Sequence, residues 1–235
     1  ISQILNKIAN PLIIVLGILL SFYLDNMVER NNKIEYKNFV IKNLKMILIE
    51  DLSNIEKIKS LQNDCYIACE TLINDIKDGK IDLSEKEIAT NYLLISQNGW
   101  TSFFPQNSTY DELISTGSME IISSVNFRKS LTNTYTHLYE RNLQISRTID
   151  DFFLMSNSKL GPHFVIEYGT KQDEGYIYDD LVPISYKIDK EFYLSNTVIS
   201  DLLQAKKLIG NYLNLLEEYE NSYLKLQLHA EEEIN

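Results

Sequence analysis

Eight glycines and four prolines in 235 residues leave few chain reversals, which argues against a turn-rich β fold and excludes collagen-like or linker-dominated chains. Two cysteines cannot build a disulfide framework. Cys65 and Cys69 are one helical turn apart and are expected to stay reduced. His137, His163 and His229 are dispersed, and the cysteine pair has no histidine nearby, so no metal site is expected. There is no G-x-x-x-x-G-K-[ST] or G-x-G-x-x-G phosphate loop, no H-E-x-x-H and no G-x-S-x-G elbow. The acid pairs Asp150–Asp151 and Asp179–Asp180 follow no catalytic spacing. We therefore expect no enzyme, no catalytic residue and no cofactor. Basic residues are outnumbered, 22 against 33 acids, and the net charge of −11 argues against bulk nucleic-acid binding.

The chain does have one long uncharged run. Pro11 to Leu24 reads PLIIVLGILLSFYL, and extension back to Ile8 gives 17 residues with Asn10 the one strongly polar member. At 1.5 Å per residue this spans about 25 Å, the short end of a transmembrane helix. A cleaved signal peptide would show a small-residue site after the run; here Asp25, Asn26 and Met27 follow. We read 1–28 as a single transmembrane segment and 29–235 as a helical soluble domain. Arg30, Lys33, Lys37, Lys42 and Lys45 lie after the span and Lys7 before it, so the soluble domain is expected on the cytoplasmic side.

Asn10, Gly17, Ser21 and Asp25 share one face of the span. Two readings stand side by side. Gly17 and Ser21 form a small-xxx-small pair that lets helices approach closely. Alternatively, the four polar or small residues line a pore in a ring of identical helices. Both require a homo-oligomer, a tetramer being the copy number considered, in contact with the lipid membrane.

The soluble part reads as helices. From Ile34 to Lys77 there is no Gly or Pro, and Ile41, Leu44, Leu48, Leu52, Ile55, Ile58, Leu61, Cys65, Cys69, Leu72 and Ile76 mark one face of a helix continuous with the span. Gly79 caps it. Ser84 with Glu87 is a capping box that opens a shorter helix ending before Gly99. Trp100–Pro105, WTSFFP, is a dense aromatic connector; Trp100, Phe103 and Phe104 are core packing or, alternatively, a ligand or coupling site. Thr109 with Glu112 reads as a second capping box, with Gly117 closing that helix. A helix from about Phe127 to Met155 carries the heptad seam Leu131, Tyr135, Leu138, Asn142, Ile145, Ile149 and Phe152. Residues 156–195 are an irregular loop or a small hairpin built from HFVIEY and GYIY. The last helix has the seam Val198, Leu202, Ala205, Ile209, Tyr212, Leu216, Tyr219, Tyr223, Leu226 and Ala230, whose tyrosines suggest a partly wet interface. The fold class expected is all-α: a transmembrane helix continuing into an elongated, coiled-coil-like helical bundle.

Two stretches carry a resemblance. Val15–Leu19, Asp25–Glu29 and Glu35–Leu44 follow a V-x-G-I-L core, a polar junction and an E-Y-L-K-N-L-type helix; Thr109–Leu113 with Ser115–Met119 follow T-Y-E-E-L-x-x-S-G-N-L. The chain resembles, on these, a large uncharacterised family of bacterial single-pass membrane proteins. The junction departs from that pattern by lacking its Trp. The layout is also similar to channel-like membrane effectors of anti-phage systems, such as those of the Hailong type. That similarity implies oligomeric membrane helices gated by a cytoplasmic domain that senses a nucleotide-derived ligand. The leading expectation is thus a gated ion channel or depolarising effector in antiviral defence. The alternatives are a non-conducting membrane-anchored scaffold that recruits a partner protein, or an extracytoplasmic sensor.

Overall fold

The segment without Gly or Pro after residue 17 does form one helix, α1, over Ser2–Lys77. The computed structural model describes the backbone of residues 2–77, 79–170 and 181–234, and the side chains of 14–77, 79–169 and 181–234. The remaining elements are α2 (Glu85–Asn98), α3 (Ser108–Ser115), α4 (Ser118–Ile121), α5 (Val125–Thr132), a π-helical turn (Asn133–Leu138), α6 (Tyr139–Leu160), a 3-10 turn (Gly161–His163), β1 (Phe164–Thr170), β2 (Leu181–Ile188), α7 (Lys190–Tyr193) and α8 (Asn196–Ile234). The chain is mostly helical, with one hairpin. It divides into two compact units: Ile1–Ile47, Gln106–Leu131 and Leu226–Asn235; and Leu48–Pro105 with Thr132–Lys225.

In the first unit, Val40, Ile41 and Leu44 of α1, Leu113 of α3, Phe127 and Leu131 of α5, and Leu226 and Ala230 of α8 are fully buried. A polar knot lies among them. The Glu233 carboxylate, almost fully buried, accepts from Lys37 Nζ at 2.7 Å, from the Ser123 and Ser124 amides at 2.9 and 3.0 Å, and from Ser123 Oγ at 2.8 Å. Ser124 also caps α5, its Oγ accepting from the Phe127 amide. A carboxylate is thus placed at a helix N-terminus, where unpaired N–H groups favour negative charge. Burial alone would raise its pKa; the bonds from Lys37, Ser123 and Ser124 outweigh that and bring it down to about 2.

The expected capping box at Thr109 is not made. α3 already begins at Ser108, its N-cap is Asn107 without a side-chain bond, and Thr109 is buried. Glu112 instead accepts from the Tyr36 hydroxyl at 2.6 Å, so a tertiary partner has displaced the local one. Gly117 ends the helix as expected, at φ +70° with its amide on Ile114 O.

In the second unit, Val198, Leu202, Ala205, Ile209, Tyr212, Leu216, Tyr219 and Tyr223 of α8 are all buried, as their spacing requires. The Ser84–Glu87 box is present on α2, and Gly79 has φ +65°. On α1 the seam departs from the expected one at two places. Asp51 and Gln62 are buried while Leu52, Ile58 and Leu61 are only half-buried. On α6 the buried set is Asn142, Ser146, Ile149, Phe153, Ser156 and Leu160, with Ile145 and Phe152 half-buried. A straight α-helix repeats every 3.6 residues and drifts away from a strict heptad. Gly99 follows α2 where a Cβ would stand 2.4 Å from the Phe153 ring. Gly99→Ala should therefore cost about 1–3 kcal/mol through overpacking. An unchanged denaturation midpoint would show that the Phe153 ring has room to swing aside.

The hairpin uses HFVIEY for its first strand, but its second is LVPISYKI; GYIY, residues 175–178, lies outside the described residues. The strands pair antiparallel from Phe164↔Ile188 to Thr170↔Leu181. An irregularity opposite Glu167 and Tyr168 leaves Ile184 as the extra residue beside Pro183, which has no N–H to pair. Phe164 stacks on Tyr92 of α2 at 4.2 Å, holding the hairpin to the bundle.

Candidate functional site

The apolar run of α1 stands bare. Every residue from Ile14 to Lys33 is exposed, among them Ile14, Val15, Leu16, Ile18, Leu19, Leu20, Phe22 and Leu24, each more than half accessible. Apolar side chains all round a helix call for burial in a core or a bilayer. Gly17, Ser21 and Asp25 lie within this stretch, and no atom comes within 4 Å of where a Cβ of Gly17 would be. Asn10 lies outside the residues with described side chains. Among the described residues, no helix is long and apolar enough to cross a membrane; positions 8–13 of the expected span are not among those side chains. The polar end of the run is ordered by Glu29 and Lys33, 2.6 Å apart, and the Lys33 ammonium holds the Glu29 carboxyl below its usual pKa.

The aromatic connector divides. Phe103 is 1 % exposed, its ring edge-on to Tyr219 at 5.3 Å, whereas Trp100 is 48 % and Phe104 74 % exposed. The structure thus does not bring the three rings together. A ring of polar contacts fixes Phe103. Its amide donates to Tyr212 Oη at 2.6 Å, its carbonyl accepts from Asn142 Nδ2 at 2.9 Å, and Tyr212 Oη donates to Asn142 Oδ1 at 3.3 Å. Gln62 adds bonds to the carbonyls of Asn98 and Thr101, so the connector's backbone is satisfied by buried side chains. Trp100 and Phe104 are therefore presented outward from a rigidly held turn.

Two buried tyrosines reach carboxylates of α1. Tyr223 donates to Asp51 at 3.0 Å and Tyr193 to Asp75 at 2.8 Å. Asp75 also accepts from the amides of Asp82 and Leu83, tying down the turn after α1. Burial, with Asp51 and the neighbouring tyrosines, pushes the Tyr223 hydroxyl well above its ordinary pKa. Tyr219 Oη is buried without a hydrogen-bond partner among the described residues. Asp51 and Gln62, which carry much of this network, were missed in the sequence. Each interrupts an apolar seam, where a neighbouring leucine looks like the better core residue.

Cys65 and Cys69 are both free and buried; burial raises both thiols, Cys69 to about 12. His163 stacks on Phe192 and pairs with Asp189 at 2.9 Å, and His229 leans on Phe127. Among the described residues no three His, Cys, Asp or Glu converge to hold a metal ion. An open groove in the second unit is lined by Asn63 and Tyr66 of α1 and by Lys206, Lys207, Asn211 and Asn214 of α8. Lys206 bonds Glu70 at 2.6 Å and its ammonium lies 4.8 Å from the Tyr66 ring centre.

The profile of a family of unknown function, DUF6090, matches residues 10–167, two thirds of the chain. The chain belongs to the DUF6090 family. The matched part of this DUF6090 member runs from within α1 to β1, and includes the bare apolar helix, the connector and Asn142. It leaves out α8, which supplies Tyr212 and Glu233. Among curated proteins and solved structures, nothing matches the chain.

Proposed function

We propose that this DUF6090 protein is a single-pass membrane protein. Its helix of residues 8–24 lies across a bacterial inner membrane and self-associates through Gly17, Ser21 and Asp25. The resulting ring passes ions when the cytoplasmic helical units are triggered. The observation that carries the reading is the run of apolar side chains from Ile14 to Leu24, exposed on all sides of α1. Bare helix of this kind is satisfied by lipid and by its own copies. Asn10 and Asp25 would stand near the two membrane boundaries, with Ser21 toward the lumen. The groove at Lys206 and Lys207 has the chemistry for an anionic, nucleotide-derived trigger. Under this reading the protein depolarises the cell that carries it, as an antiviral effector would.

One observation favours a second reading. Gly17 and Ser21 form a close-packing pair, which draws helix backbones together and closes a lumen instead of opening one. The protein would then be a non-conducting anchored scaffold presenting Trp100 and Phe104 to a partner protein. Potassium release from vesicles containing the full chain, measured with mono-, di- and cyclic nucleotides added as triggers, separates the two. The channel reading expects release that falls at least tenfold in Gly17→Leu/Ser21→Leu, with four or more copies by native mass spectrometry. Full insertion without release, or a monomer or dimer, overturns the channel and leaves the scaffold.

A further inference from the structure

We propose that the outer face of α1 beyond the apolar run is a contact surface for a second copy of this chain, extending the association of the membrane helices into the first unit. This deepens the reading above and rests on it for the parallel arrangement of copies. The positions are Ser21, Asp25, Val28, Asn32, Glu35, Phe39, Lys42 and Met46. Their spacing is 4-3-4-3-4-3-4, and at 100° per residue they fall within a sector of about 100°. All eight are exposed. The core residues of the same helix, Val40, Ile41 and Leu44, lie on the opposite side.

Two of these positions are unlike a solvated face. Phe39 is 55 % and Met46 58 % exposed, seven residues apart, and Phe39 points in the same direction as Ser21. Large apolar residues repeating at seven on the outside of an already packed helix mark a second seam. The occupant follows from geometry. Copies that meet in a bilayer along Gly17 and Ser21 are held parallel and level, so the next turns of the same face confront one another. No other molecule is placed there by the helix itself. Asn32, Glu35 and Lys42 separate the apolar layers and keep the face soluble in an isolated chain. Parallel, level copies place each of these positions beside its own equivalent on the neighbouring copy.

Single cysteines test this on the full chain in vesicles. Cys65 and Cys69 are fully buried and their thiols are held protonated, so they remain in place. Ser21→Cys, Phe39→Cys and Met46→Cys are oxidised in parallel, with exposed Asn126→Cys on α5 as the control. The expected result is disulfide-linked dimers, at least five times the control, at positions 21, 39 and 46. Linkage at 21 without linkage at 39 and 46 overturns this inference and leaves the membrane association standing. Linkage at 39 and 46 without 21 supports the surface and overturns the stripe reading. No linkage anywhere, with a monomer by native mass spectrometry, overturns both.

Discussion

Replacing Glu233 by Gln should cost about 3–5 kcal/mol at pH 7, because it leaves the Lys37 ammonium buried without its counter-charge. The isosteric change keeps the shape of the knot, so the loss reports charge. Glu231→Gln is the internal comparison. Its partner Lys45 lies at 2.9 Å, but that carboxylate is 56 % exposed, and its loss should cost no more than about 0.5–1 kcal/mol. Acid gives the same result by another route. The folded-state pKa of Glu233 is depressed to about 2 from an ordinary 4.5. Its contribution is therefore complete above about pH 4.5 and is lost as the pH falls toward 2, a change of about 3 kcal/mol by linkage. Urea midpoints measured from pH 7 to 2 should converge for the parent and Glu233→Gln at the acid end. Parallel pH profiles would mean that the carboxylate is not held in the bonded form described.

The connector offers the second large effect. Phe103→Ala should destabilise the chain by about 3–5 kcal/mol, the cost of a cavity among Tyr219 and Tyr223. Phe104→Ala, one residue away, should stay within about 0.5 kcal/mol. Trp100 is the single tryptophan and lies three residues before Phe103, so its fluorescence follows the unfolding of the second unit directly. Equal losses for the two phenylalanines would refute the division of the connector into a buried anchor and an outward pair. The pair matters for function because a rigid turn presents its exposed rings at little entropic cost.

Much of this architecture could be read from spacing. The α8 seam is correct at all ten positions because nothing interrupts the helix and its tyrosines keep the apolar rhythm. Ser84, Gly79 and Gly117 gave true punctuation because their partners are local. Misreadings arose where a distant partner decided the outcome. Glu112 looked committed to Thr109, yet Tyr36 is 76 positions away in sequence and binds it. Asp51 and Gln62 look like seam defects until Tyr223 and the connector carbonyls are in place. Pro183 reads as a strand breaker and hid β2. The stripe at Gly17, Ser21 and Asp25 was legible as a face; what covers it belongs to other molecules, which a single sequence does not contain. Nothing in NTYTHL announces the π-helical turn, since it has neither Gly nor Pro.

That turn has a bearing on how related chains should be compared. Between Asn133 and Leu138 the backbone bond spans five residues, as from the Tyr139 amide to Thr134 O, so the turn holds one residue more than an α-helical turn. A relative lacking one residue here could close the helix regularly and still bury the equivalents of Leu131 and Asn142. A gap of one residue between Tyr139 and Phe153 would rotate everything after it by about 100° and pull Phe153 out of the core. The place to expect length variation in this helix among related chains is therefore the stretch around His137, and an alignment that puts the gap elsewhere would pair core residues with surface ones.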